Sequence, residues 1–273
     1  MNIVKTIISF VTIICLALVG LIIVSKSAVV GMINENVDFF ATYQNLGNPY
    51  IRFVRIPPGL RKEEVVDIYS KVLAWNDQDK EDFLNNADDT ETDLEGYYFP
   101  STYILPVDAS GEEVKDKMLA SFNKNVVTIT DSKKYILSKN KVNIDTALKV
   151  ASLIQREAAG KHDMNLISGI IWNRIWNGMS LQIDATLQYA KGREGKWWPI
   201  VLSADKKIES PYNTYKNSGL PPTPIASPGL AAIEAAYNPT KTSCLFYFHD
   251  NDRVIHCSKT YAEHDAGVEQ YLR

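Results

Sequence analysis

Metal-binding side chains are scarce in this 273-residue chain, which has 4 histidines and 3 cysteines. His162, His249, His256 and His264 show no spacing that would set ligands around one zinc ion, and His256-Cys257, the one close pair, is adjacent. A metalloenzyme is therefore not expected, and no cofactor is assigned. A basic excess is also missing. Net charge is −3 and the lysines and arginines are scattered, which argues against a nucleic-acid footprint. There is no internal repeat and no low-complexity tract. With 45% hydrophobic and 22% charged residues, the composition is that of a folded protein of one large or two modest domains.

The most conspicuous absence is local. From Thr6 to Ser25, TIISFVTIICLALVGLIIVS, no residue is charged. About 20 helical residues at ~1.5 Å each span the ~30 Å hydrocarbon core of a bilayer. A cleaved signal has a shorter apolar region and a small-residue cleavage site. Here Lys26 interrupts the best candidate site near Ser25 and Ser27, so an uncleaved anchor is the expectation. Lys5 and Lys26 flank the span almost evenly and do not orient it. Cys15 lacks the small-residue context of a lipidation site. Residues 1–26 are read as the transmembrane anchor with its short cytoplasmic end, and 27–49 as a membrane-proximal link.

Past the link, YIRFVRIPPG (50–59) reads as a strand closed by a Pro-Pro-Gly turn. RKEEVVDIYSKVLAW (61–75) carries Val65, Ile68, Val72 and Leu73 at helical spacing. NDQDKEDFLNNA (76–87) reads as a polar second helix capped by Asn76 or Asp77, and LEGYYFPSTYILP (94–106) as an extended aromatic return. Residues 50–106 thus form a small strand-helix-helix-strand module. Residues 107–273 form a second, mixed unit, giving an α+β fold class overall. In that unit, helices are expected within 107–126 after its Ser-Gly break, over Asp145–Ala159 and over Asp163–Gly178, with a final one over Tyr261–Leu272. LQIDAT (181–186) looks strand-like, with Gln182 and Asp184 on one face. Cys244 and Cys257 flank LFYFHDNDRVIH, a hairpin turning at Asn251-Asp252 that would set Cys257 opposite Phe246. A disulfide with some adjustment and two unpaired strand cysteines remain equal readings.

ASLIQREAAG (151–160) carries the chemical question. Ala147, Val150, Ala151, Ile154 and Ala158 make one apolar stripe, and Glu157 falls at its flank beside Val150, Leu153 and Ile154, with Arg156 pointing away. A carboxyl held against aliphatic groups loses solvation, which raises its pKa and keeps it a proton donor near neutral pH. Taken alone, the helix reads more readily as structural, with Glu157 reaching solvent or an arginine such as Arg174. Downstream, IIWNRIWNGMSLQIDATLQYA (170–190) adds Asn173, Arg174, Gln182 and Asp184. SPYNTYKNSGLPPTPIASPG (210–229) adds Tyr212, Asn213 and Tyr215 beside a Pro-rich turn. Amide, phenol and hydroxyl groups on loops suit a polyhydroxylated, N-acetylated ligand. Taken one by one, the same residues also serve as turn formers, caps or ion-pair partners.

LEGYYFPSTY, ASLIQREAAG, IIWNRIWNGMSLQIDATLQYA, SPYNTYKNSGLPPTPIASPGLAAIEAAYNP and CSKTYAEHDAGVEQYL together resemble the endolytic murein transglycosylase (YceG-like) family, in the family's order and over most of 94–273. The resemblance implies a LysM-like subdomain at 50–106 and a YceG-like catalytic domain at 107–273. It implies glycan strands of peptidoglycan as substrate, and it matches Glu157 to the family's catalytic glutamate. Where the family often has another glutamate, this chain has Gln155, which leaves Glu157 the sole carboxylate on its turn. Asn173, Arg174, Gln182, Asp184, Tyr212, Asn213, Tyr215 and Glu95 are the candidate substrate-binding residues. Trp197-Trp198, in the weakly matching stretch 191–209, reads better as packing than as a sugar platform.

The resemblance further implies a lytic reaction giving 1,6-anhydro ends, with the catalytic part outside the cytoplasmic membrane and cell-wall synthases as candidate partners. Two rivals remain. One is a lysozyme-like hydrolase using Asp184 as second carboxylate; the other is a tethered, non-catalytic peptidoglycan-binding scaffold.

Overall fold

A computed structural model describes residues 47–85, 93–127, 136–137 and 140–272. The apolar span at 6–25, and the link up to residue 46, lie outside them. Among the described residues no helix is long and apolar enough to cross a membrane.

The chain opens with strand β1 (Ile51–Arg55), helices α1 (Lys62–Leu73) and α2 (Asp77–Leu84), and strand β2 (Thr102–Pro106). β1 and β2 pair antiparallel, with Phe53 opposite Ile104. This is the anticipated strand-helix-helix-strand order. α2 starts at Asn76, whose side chain accepts from the Asp79 N–H while the Asp79 carboxylate accepts from the Asn76 N–H. That exchange satisfies two of the four donors that a helix start leaves open. The buried face of α1 is Val65, Val66, Tyr69 and Leu73, whereas Val72 is exposed. The apolar stripe is thus rotated from the expected one, because aromatic Tyr69 stacks on Trp75 and packs against Phe83.

Helix α3 (Gly111–Phe122) begins at Ser110, which exchanges bonds with Glu113, and ends in a π-type turn over Asn123–Val127. It starts at the expected Ser-Gly break, and residues 107–110 form the turn and cap that precede it. α3 gives Val114 and Met118 to the core of the small module, and Phe122 to the larger core that follows. A short ribbon, β3 (Ile136–Leu137) with β4 (Asn140–Lys141), leads into α4 (Ile144–Glu157).

α4 is the central helix. Asn143 caps it by accepting from the Thr146 N–H, and Ala147, Leu148, Val150, Ala151, Leu153 and Ile154 are fully buried. Helix α5 (Met164–Trp176) and helix α7 (Leu230–Tyr237) enclose it with Ile167, Ile171, Trp172, Ile233 and Ala236. Between them lies helix α6 (Asp184–Lys191).

α6 corrects the strand expected at 181–186. Leu181, Ile183 and Ala185 are buried while Gln182 and Asp184 are exposed, so the alternation is real. It arises without a strand. Gln182 takes a φ of 56°, its N–H donates to the Thr214 carbonyl, and Ile183 caps a helix that begins at Asp184. Five alternating residues are too few to separate a strand from a reversed loop entering a helix.

The chain closes with strands β5 (Phe246–His249) and β6 (Ile255–Ser258) and helix α8 (Tyr261–Leu272). In this hairpin Tyr247 faces Cys257 and Phe246 faces Ser258, one residue off the expected register. The loop holds three residues instead of two, Asn251 to Arg253, and Arg253 sits in the left-handed region at φ 64°. A type I turn followed by a left-handed residue is the usual three-residue hairpin connection. Cys244 and Cys257 are joined as a disulfide with their Cα atoms 5.8 Å apart, which decides between the two readings of the pair.

Candidate acid–base site

The larger core ends at Glu157, the last residue of α4; Ala158 is already extended. Glu157 is half-buried, and its helical neighbours Val150, Leu153 and Ile154 are fully enclosed. Burial is the main influence on its carboxyl and pushes the pKa up. The charge of Asp184 pushes in the same direction, while Tyr247, His249 and Arg156 pull it back. The Tyr247 hydroxyl donates to Glu157 Oε2 at 2.7 Å. The carboxyl therefore has a partner, although not the arginine that the sequence offered. Arg174 instead donates to the backbone carbonyls of Leu245, Ser180 and Leu181.

Asp184 reaches the site as the first residue of α6, and its Oδ1 accepts from the Tyr215 hydroxyl at 2.6 Å. Tyr215 sits on the 210–219 loop with Lys206 Nζ 4.8 Å above its ring. Burial and the neighbouring Asp184 carboxylate raise the Tyr215 pKa, so the phenol remains a donor. Glu157, Asp184, Tyr215 and Tyr247 are thus brought into one electrostatic group.

The other candidates are placed around this group in supporting positions. Asn213 is fully buried; its amide donates to the carbonyls of Lys206 and Ile208, and its Oδ1 accepts from the Tyr215 N–H. It shapes the loop that presents Tyr215. Asn173 donates to the carbonyls of Thr242 and Cys244 and so holds the entry to the hairpin. Tyr212 bonds Thr223 through its hydroxyl and packs its ring against Tyr189. Gln182 is exposed next to Asp184.

Glu95 lies elsewhere. It is 0% exposed, between the two cores, with Oε2 accepting from the Lys62 N–H at 3.2 Å and the Tyr189 hydroxyl at 3.3 Å. Burial raises its pKa to about 8. The ion pair in this region is made by Asp93, which takes Lys62 Nζ at 2.7 Å. The tryptophans are also structural. Trp197 donates to Asp67 and Trp198 to Glu64, and the Arg156 guanidinium lies 3.7 Å over the Trp198 ring.

Sequence reasoning missed Tyr247 and His249. Strand alternation puts the two on one face of β5, which was the available signal. It points there only once the register is known, because sequence gives no hint that a residue 90 positions after Glu157 would meet it.

Together these features define an α+β protein built around one desolvated carboxylic acid at a helix end, with a second carboxylate and two phenols beside it. The chain belongs to the YceG-like family, whose model matches residues 28–270. It is 37% identical over 219 residues to the endolytic murein transglycosylase of Bacillus subtilis (strain 168), covering 75% of this chain and 59% of that one. The endolytic murein transglycosylase of Streptococcus pneumoniae serotype 2 (strain D39) is 36% identical over 182 residues, 66% of this chain and 32% of its own. The chain thus spans between a third and three-fifths of these relatives. Among solved structures, a putative yceG-like protein from Listeria monocytogenes superposes with a TM-score of 0.64 at 29% identity, covering 78% of this chain and 75% of the other.

Proposed function

We propose that this protein is a membrane-anchored lytic transglycosylase that cleaves the MurNAc-β-1,4-GlcNAc bond of peptidoglycan strands and leaves 1,6-anhydroMurNAc ends. The observation that carries the reading is Glu157, a carboxylic acid whose pKa is raised by burial at the end of a helix with a fully buried core face. Both relatives are named endolytic murein transglycosylases, which supports the substrate class.

The chemistry follows from one acid that works twice. Glu157 gives its proton to the glycosidic oxygen, the C1–O bond breaks, and the GlcNAc side leaves with a hydroxyl. The Glu157 carboxylate then takes the proton of the MurNAc 6-hydroxyl as that oxygen bonds C1. The glutamate returns to its starting form and no water is consumed. An intramolecular nucleophile has a high effective molarity, so no positioned water is needed. General acid–base help of this kind contributes about 10²–10⁴-fold.

In this reading the 6–25 span tethers the enzyme and residues 27–273 face the extracytoplasmic side. The strand-helix-helix-strand module is LysM-like and borders the glycan. Cleavage is endolytic, on strands still being synthesised, with cell-wall synthases as partners. Asp184, Tyr215, Gln182 and Tyr212 contact sugar, while Asn173, Arg174 and Asn213 act by holding the loops.

The deciding experiment compares wild type with Glu157→Gln on uncrosslinked glycan by mass spectrometry. Wild type should yield anhydro ends and the variant none, with its fold intact. Wild-type turnover in the variant would refute the assignment. Products heavier by one water would select the hydrolytic alternative, which the closeness of Asp184 to Glu157 keeps open.

A further inference from the structure

We propose that Tyr247 is a positioning residue for Glu157, its phenol holding Oε2 so that Oε1 is the oxygen that exchanges protons with substrate. This rests on the reading of Glu157 as acid and base.

The β5–β6 hairpin grips the end of α4. It holds residues 157–163 at three points. Tyr247 donates to Glu157 Oε2 at 2.7 Å, and His249 Nε2 lies 3.1 Å from Asp163 Oδ2. From the loop, Arg253 Nη2 donates to the Ala159 carbonyl at 2.7 Å. Asp163 is 0% exposed, and its Oδ2 also accepts from the Ala159 N–H at 3.2 Å. The backbone just past Glu157 is thereby fixed to the same strand that fixes its side chain.

The hairpin is itself anchored. The Cys244–Cys257 disulfide ties its two arms, Asn173 binds the Thr242 and Cys244 carbonyls, and Arg174 binds the Leu245 carbonyl. A residue on so constrained a strand can fix a carboxyl rotamer. Among the described residues, Tyr247 is the one side chain that hydrogen-bonds the Glu157 carboxyl. A glutamate free to rotate would present either oxygen, and in varied orientations. One held by Oε2 presents one oxygen in one direction, which is what a proton transfer to a fixed glycosidic oxygen requires.

The charged and titratable groups facing Glu157 are Tyr247 and His249 from β5, Asp184 from α6 and Arg156 from its own helix. Arg174 and Tyr215 act on Tyr247. The phenol bond favours ionised Glu157, so removing it moves the carboxyl further upward.

The test is Tyr247→Phe, assayed for kcat, KM and the pH profile of glycan cleavage, beside Glu157→Gln. A kcat lower by on the order of 10- to 100-fold is expected, the effect of a hydrogen bond to a charged group. KM should stay within about twofold, as expected when only the transition state is affected. The alkaline limb, where the protonated acid is lost, should move to higher pH. A second variant carries 3-fluorotyrosine at position 247, which keeps the shape with a more acidic phenol. It should retain near wild-type kcat and move the limb to lower pH, and it decides the matter if Tyr247→Phe does not fold. An unmoved limb in the fluorotyrosine variant, or wild-type kcat and pH profile in Tyr247→Phe, would overturn the proposal and leave Glu157 as acid untouched. Activity in Glu157→Gln would instead remove the reading on which it rests.

Discussion

The indole N–H of Trp198 donates to Glu64 Oε2 at 2.7 Å, joining two residues 134 positions apart and the small module to the large one. The same oxygen accepts from the Arg61 N–H at the start of α1. On the other side of the indole lies Arg156, which also donates to the Gly59 carbonyl and is the neighbour of Glu157. The junction between modules is thus built onto the site helix. A double-mutant cycle with Trp198→Phe and Glu64→Leu should give a coupling of about 1 kcal/mol in thermal unfolding. Additive effects would show that the contact does not hold the modules together.

Glu95 makes that junction sensitive to pH. Its pKa rises from 4.5 to about 8 in the folded protein, so between those values the folded state holds a proton that the unfolded chain has released. The stability that this contributes is complete below about pH 4.5 and is lost as pH climbs through about 8. The full effect is on the order of 3–5 kcal/mol. A glutamine side chain at this position would mimic the protonated acid, placing an amide where Oε1 has no hydrogen-bond partner among the described residues. Glu95→Gln should therefore unfold at a higher temperature than wild type at pH 8, with little difference at pH 5. Parallel melting curves across that range would contradict the assignment.

Asp184 offers a contrast to Tyr247. Its charge raises the Glu157 pKa, so Asp184→Asn should move the alkaline limb of cleavage to lower pH. On the alkaline side of that limb, activity would fall by roughly tenfold per unit of displacement. Asparagine still accepts from the Tyr215 hydroxyl, so the loop should stay in place. A loss of the same size at every pH would instead mark Asp184 as a nucleophile.

The disulfide should act locally. Its loop separation of 13 residues corresponds to about 2–3 kcal/mol of chain entropy. The hairpin strands are only partly buried, whereas the core face of α4 is fully buried. Replacing both Cys244 and Cys257 by serine should lower amide protection across 246–258 and leave α4 unchanged in hydrogen exchange. Equal protection in both regions would show that the hairpin needs no staple.

How much of this was legible in the sequence depends on range. The cap at Asn76 was readable because it acts within three residues, and the face of α4 because it has a long apolar period, whereas the equally local caps at Ser110 and Asn143 were not read. Glu157 was singled out from that period and from the family resemblance. Errors came where one residue decides direction: the left-handed Gln182 turned a supposed strand into a helix start, and the left-handed Arg253 shifted the hairpin register. Tyr247 was out of reach for that reason. The roles of Asn173, Arg174 and Asn213 depend on distant carbonyls that no local pattern announces.

The two carboxylates also sit at opposite ends of their helices: Glu157 is the last residue of α4 and Asp184 the first of α6. A helix carries partial negative charge at its carbonyl end and partial positive charge at its amide end. The backbone of α4 therefore disfavours an anion at Glu157. Chain direction alone thus adds to the burial that favours the protonated carboxyl there, before any neighbouring side chain is counted.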